Sequence, residues 1–205
     1  ILNLRISWDY QRQVIGSILM ILTIASAEDA MNKGLRGAVT TSALLVLTAM
    51  SHEVTGVTAC VLALTLLADS LHARRGDASL AYLTALASST ALMLWYWRRP
   101  YTPNPYLGVA PPGLVTYTAY STTAAEVISY LIVGYGLVIP PALIALTKHS
   151  CRYLKIALAA LMIAGLTPLI IPYTSVTCWW RFLIGAAPLT VPLAVAGMNK
   201  SARKE

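Results

Sequence analysis

Residues 37–68 form one apolar stretch interrupted only by Ser51-His52-Glu53. Inside a bilayer every polar group must find a partner, so three in succession mark either a break in structure or a site. Histidine titrates near neutral pH and, when protonated, can hold a phosphate. Ser51 can equally cap the helix that follows, with His52 and Glu53 as its first-turn residues. Asp9, Glu53 and Glu126 stand at or near the ends of apolar segments, where ionisable groups are costly unless they face a cavity or a partner. Asp9 with Arg12 also has the i,i+3 spacing of a helix-surface ion pair, and Glu126 suits the positive N-terminal end of a helix. Asp9, His52 and Glu53 are thus the candidate catalytic groups, of the kind that activates a hydroxyl. Arg98 and Arg99 follow Trp97, and Arg181 follows Trp179-Trp180. Guanidinium groups at that level bind phosphate oxygens in a bidentate fork, or simply anchor lipid headgroups. The chain contains no P-loop, GxGxxG, HExxH or CxxC, and its three cysteines have no metal spacing. No metal and no cofactor is assigned.

These groups sit in a chain of 205 residues that is 57% hydrophobic and 11% charged, with a mean hydropathy of +0.66. A soluble domain carries about 25% charged residues, and a globule of this length cannot hide so much apolar surface. Composition therefore excludes soluble enzymes, secreted disulfide scaffolds and disordered chains. It points to an all-α, polytopic membrane protein forming a single integral membrane domain over residues 1–205. Apolar length and punctuation predict about seven transmembrane helices, near 12–28, 35–50, 53–71, 79–97, 124–147, 154–172 and 181–198. The stretch 37–68 would be about 48 Å long as one helix, against a hydrocarbon core of about 30 Å. Two helices with the turn at Ser51-His52-Glu53 fit better; one long tilted helix is the alternative. Loop 98–123 holds five prolines and several tyrosines, which predicts an extended segment. Prolines at 140, 141, 168, 172, 188 and 192 predict kinks in helices five to seven.

Lys and Arg divide five to ten between the two sides whether six or seven helices are counted. The richer side is expected to be cytoplasmic. Loops 98–123 and 173–180 then face outward from the cell membrane, and the C-terminus faces the cytoplasm. The net charge of +7 follows from this retention of positive loops and needs no nucleic acid. Glu28, Asp29, Asp69, Asp77 and Glu205 fall on the cytoplasmic side, where solvated structural roles are expected. With seven helices all five tryptophans gather at the outer face.

Three stretches carry a resemblance. RISWDYQRQVIGSILMILTIA has a WD-x-x-R entry into a membrane helix, SHEVTGVTACVLALTLLA a Ser-His helix start, and WWRFLIGAAPLTVPLAVAG a late Arg-then-Pro helix. Together they resemble the membrane region of polytopic glycosyltransferases of the C superfamily, mannosyltransferase- and oligosaccharyltransferase-like proteins, over about a third of the chain. The resemblance implies inverting sugar transfer from a polyprenyl- or dolichyl-phosphate donor on the extracytoplasmic side. It also implies a catalytic Asp or Glu in an outer loop after the first membrane helix of that family. No Asp-Asp or Glu-x-Asp pair occurs here, and the chain opens on Ile1, so the expectation is a C-terminal portion of a longer protein. The expected partners are the bilayer, a lipid-linked sugar donor and other membrane proteins. A transporter or lipid flippase, and a non-catalytic subunit of a membrane complex, are the competing readings.

Overall fold

The computed structural model describes residues 2–98, 115–117, 120–148, 151–170, 174–176 and 180–202. The described chain is helical, apart from one pairing of two three-residue strands. Contacts divide it into two units: Ile1–Tyr96 with Cys151–Ala160, and Trp97–Ser150 with Leu161–Glu205.

In the first unit, α1 (Leu2–Ser51) folds back on itself at Gly34, whose φ of 62° and ψ of −146° are non-helical. A side chain there would strain the backbone; glycine does not. The two arms, Gln11–Ala30 and Lys33–Ser51, are each long and apolar enough to cross a membrane. They run antiparallel, joined by hydroxyl pairs Ser26–Thr41 at 2.7 Å and Thr23–Thr48 at 2.9 Å. Helix α2 (Glu53–His72) follows after the single non-helical residue His52, and α3 (Gly76–Arg98) returns beside it. Ser70 meets Ser79 at one end of that hairpin, and Gly56 lies against Met93 at the other. The stretch 37–68 is therefore two helices, and the single long helix is excluded. Met20, Leu45, Leu62, Leu66 and Tyr82 fill the interior, while Leu22, Leu64, Leu80 and Trp95 face outward. Apolar side chains on both surfaces suit helices whose solvent is lipid.

The second unit departs further from expectation. Instead of one helix over 124–147, α4 (Tyr120–Tyr135) and α5 (Ile139–Lys148) form a pair bent by 76°. Gly136 follows the last turn of α4, and Pro140-Pro141 stand in the first turn of α5, where their missing N–H groups cost nothing. The expected helix 154–172 is α6 (Arg152–Gly165), which starts earlier, followed by the short α7 (Thr167–Ile170). Pro168 suits the start of such a new turn but not the interior of a continuing helix. Pro188 and Pro192 lie inside α8 (Trp180–Ala202). Val127, Tyr135 and Leu183 make the core here, with Leu131, Ile139 and Met162 around them. Tyr135 donates its hydroxyl to the Leu183 carbonyl. Strands β1 (Val115–Tyr117) and β2 (Thr174–Val176) pair antiparallel, Thr116 opposite Ser175. The two loops expected to share a face are thus paired by backbone.

By length and composition, four helices among the described residues can cross a membrane, or five if the bent pair is one span. The first arm of α1 approaches Ser51 and Thr55 closely at Gly16, where an added Cβ would lie 2.6 Å from Thr55 Oγ1 and 2.7 Å from Ser51 Oγ. Gly16→Val is expected to destabilise the protein by about 1–3 kcal/mol, read as a lower thermal midpoint in detergent. Gly76→Ala, with open space around it, is the control expected to leave the midpoint unchanged or slightly raised.

Candidate functional site

The break between α1 and α2 sets free the carbonyls that end one helix and the N–H groups that start the next. Several of them find side-chain partners. His52, extended at φ −158° and ψ 146°, is itself the N-cap, and its Nδ1 accepts from the Val54 N–H at 3.2 Å. That acceptor role assigns the neutral ring's proton to Nε2. Ser51, one reading of which is the cap, instead donates its hydroxyl back to the Thr48 carbonyl at 2.7 Å. Thr55 Oγ1 lies 3.1 Å from the Thr48 carbonyl and 3.0 Å from that of His52. Arg12 brings its Nε–H to the Ser51 carbonyl at 3.0 Å, placing a cation at the negative end of a helix. His52 is buried, and Glu53 is exposed in the first turn of α2, where a carboxylate suits the positive helix end.

Asp9 lies three residues before Arg12 on α1, so the structure gathers Arg12, His52 and Glu53 at one end of the first unit, with Asp9 on the same arm. Arg98 is the last residue of α3 and Arg181 the second of α8. Both belong to the second unit. Arg99 lies outside the described residues, as does most of loop 98–123. Among the described residues no group of His, Cys, Asp and Glu has the arrangement of a metal site.

At the opposite end stands a network that sequence reasoning missed. Tyr153, in the first turn of α6, gives its backbone N–H to Glu28 Oε1 at 2.9 Å and its hydroxyl to Asp69 Oδ2 at 3.0 Å. Arg152 closes on the same Asp69 oxygen at 2.9 Å. Asp69, expected to be a solvated loop residue, therefore lies in the last turn of α2 with its side chain only 17% exposed. The correction has a physical reason: a carboxylate can turn inward where a phenol and a guanidinium meet it. Burial first, then the hydrogen bond and charge of Asp69, push the Tyr153 phenol well above its ordinary range. The one sequence signal was the KHSCRYLK stretch, where a tyrosine stands between an arginine and a lysine. Its partners lie 84 and 125 residues away.

Comparison of the chain with protein-family models, with curated proteins and with solved structures finds no match.

Two predictions follow from these contacts. His52→Ala, which removes the cap acceptor, should cost about 1 kcal/mol of stability, while His52→Asn should preserve most of it; thermal melts of both variants in detergent decide. Removing the Tyr153 hydroxyl should cost about 1–3 kcal/mol at neutral pH. The pH dependence has a defined sign. Below about pH 10 the phenol is protonated in both folded and unfolded chains. Above it the unfolded chain loses a proton that the folded one keeps, so stability falls as pH rises. Tyr153→Phe should flatten that alkaline decline, measured as thermal midpoint from pH 8 to 11.

Proposed function

We propose that this chain is a multi-pass membrane protein, of about seven spans, that handles a lipid-linked phosphate at the face where His52 lies. Its reaction is sugar transfer from a polyprenyl- or dolichyl-phosphate donor. One observation supports this reading above the others: segments 13–27, 37–51, 54–68 and 78–97 contain no Asp, Glu, Lys, Arg or His. Their interior polarity is mainly hydroxyl groups turned to helix carbonyls or to one another. Chemistry by ionisable groups is thereby confined to the helix ends, which suits an enzyme whose substrate is held at the interface. In this reading Glu53 or Asp9 takes the acceptor's proton, and the His52 Nε2–H donates to an oxygen of the substrate; Arg98, Arg99 and Arg181 are the groups proposed to bind phosphate. Loops 98–123 and 173–180 face outward and the C-terminus faces the cytoplasm.

A transporter or flippase is the second reading, favoured by the bent pair α4–α5, since interrupted helices often frame transported substrates. Reconstituted vesicles carrying a radiolabelled polyprenyl-phosphate sugar separate the two. Sugar transferred to an acceptor supports the enzyme; labelled lipid moved across the bilayer unchanged replaces it with the transporter; neither outcome leaves a non-catalytic subunit. For the enzyme, Arg98→Ala or Arg181→Ala should reduce donor use by about 10–100-fold, the worth of one charge-assisted contact. Membrane insertion, assayed by resistance to alkaline extraction, should be unchanged. Arg→Lys should restore only part of the loss, because Lys lacks the bidentate fork.

A further inference from the structure

The turn that ends α2 holds an arginine where the backbone favours glycine. The Ala73 N–H bonds the Asp69 carbonyl at 2.9 Å, that of Arg74 the Leu71 carbonyl at 3.0 Å, and that of Arg75 the Ser70 carbonyl at 2.9 Å. This wrapped ending requires one left-handed residue, commonly glycine. Here it is Arg74, at φ 56°, the one non-glycine residue with positive φ among those described. A strained position filled by an exposed cation points to work for the side chain itself.

Its surroundings indicate what that work is. The Tyr153 contacts to Glu28 and Asp69 bring three polar ends together: the Gly34 fold of α1, the α2–α3 turn and the start of α6. Arg36, Arg74 and Lys155 are exposed at these ends, and no side-chain hydrogen bond or ion pair engages them among the described residues. The acidic groups are largely spent. Asp69 turns inward to Tyr153 and Arg152, Glu28 accepts from the Tyr153 N–H, and Asp29 pairs with Lys33 at 2.8 Å. Asp77 lies in the first turn of α3, where it complements the positive helix end. The charge left facing outward is positive, at the level where apolar helices give way to headgroups.

We infer that this end of the first unit binds the headgroups of anionic phospholipids, with Arg74 as a principal contact beside Arg36 and Lys155. Basic side chains at a membrane surface each strengthen such binding by roughly fivefold. The inference rests on the membrane reading alone and is independent of sugar transfer, because its test contains no sugar donor. The purified chain in detergent is offered equal amounts of phosphatidylglycerol and phosphatidylcholine, and retained lipid is counted by native mass spectrometry. Phosphatidylglycerol should be retained preferentially, with the preference weakening as salt is raised. Arg74→Gly should lower the preference about fivefold while its thermal midpoint stays the same or rises, because glycine relieves the strained turn. The variant Arg36→Gln/Arg74→Gly/Lys155→Gln should abolish it. Equal retention of the two lipids by the wild-type chain, or an unchanged preference in Arg74→Gly, would overturn the inference.

Discussion

The break at His52 is held by side chains that meet backbone groups it frees, among them the Thr48, Ser51 and His52 carbonyls and the Val54 N–H. Away from water an unpaired carbonyl or N–H costs several kcal/mol, roughly the stability of a whole domain if repeated a few times. Arg12, Ser51, Thr55 and the His52 ring supply the missing partners. Much else in the first unit depends on this. Gly16 has to be small so that the first arm of α1 can approach Ser51 and Thr55, and Arg12 has to lie one turn earlier to reach the carbonyl. Arg12, spaced to pair with Asp9, also serves as the closing donor of a helix end.

The same break sets the direction of the chain beyond it. Tyr153 touches both Glu28 and Asp69, so the end of the first arm and the end of α2 lie together. That proximity needs an even number of passes between residues 28 and 69, and the turn at residue 52 supplies the second. A long unbroken helix would have carried Asp69 to the opposite end and left its carboxylate without Tyr153. Charge is sorted accordingly: hydroxyls inside, Arg12 and Glu53 at one end, Asp69 and the basic turns at the other. Such sorting is what a low-dielectric surrounding imposes, since a charge held at mid-depth is costly without a partner.

Local chemistry in the sequence was enough for the membrane-length helices of the first unit, because apolar length is a property of contiguous residues. It was also enough for the interruption at Ser51-His52-Glu53, because 48 Å of helix does not match about 30 Å of hydrocarbon. Which residue caps α2 was decided by geometry: His52 adopts the extended backbone and turns its own ring to Val54, leaving Ser51 to the preceding turn. The α4–α5 bend was signalled by Pro140-Pro141, but the residues counted equally well as one kinked span. Only packing around Tyr135 and Leu183 distinguishes two short helices.

Composition and spacing by themselves determined the all-helical class and the positions of four apolar helices, since both are read over neighbours in the chain. The tertiary structure alone decided that Asp69 is covered, that Tyr153 joins two carboxylates, and that strands from two separate loops pair. Hydrogen bonds across 84 or 125 residues leave no periodicity in the sequence. They exist because folding brings helix ends together and a buried polar group must then be satisfied by whatever arrives.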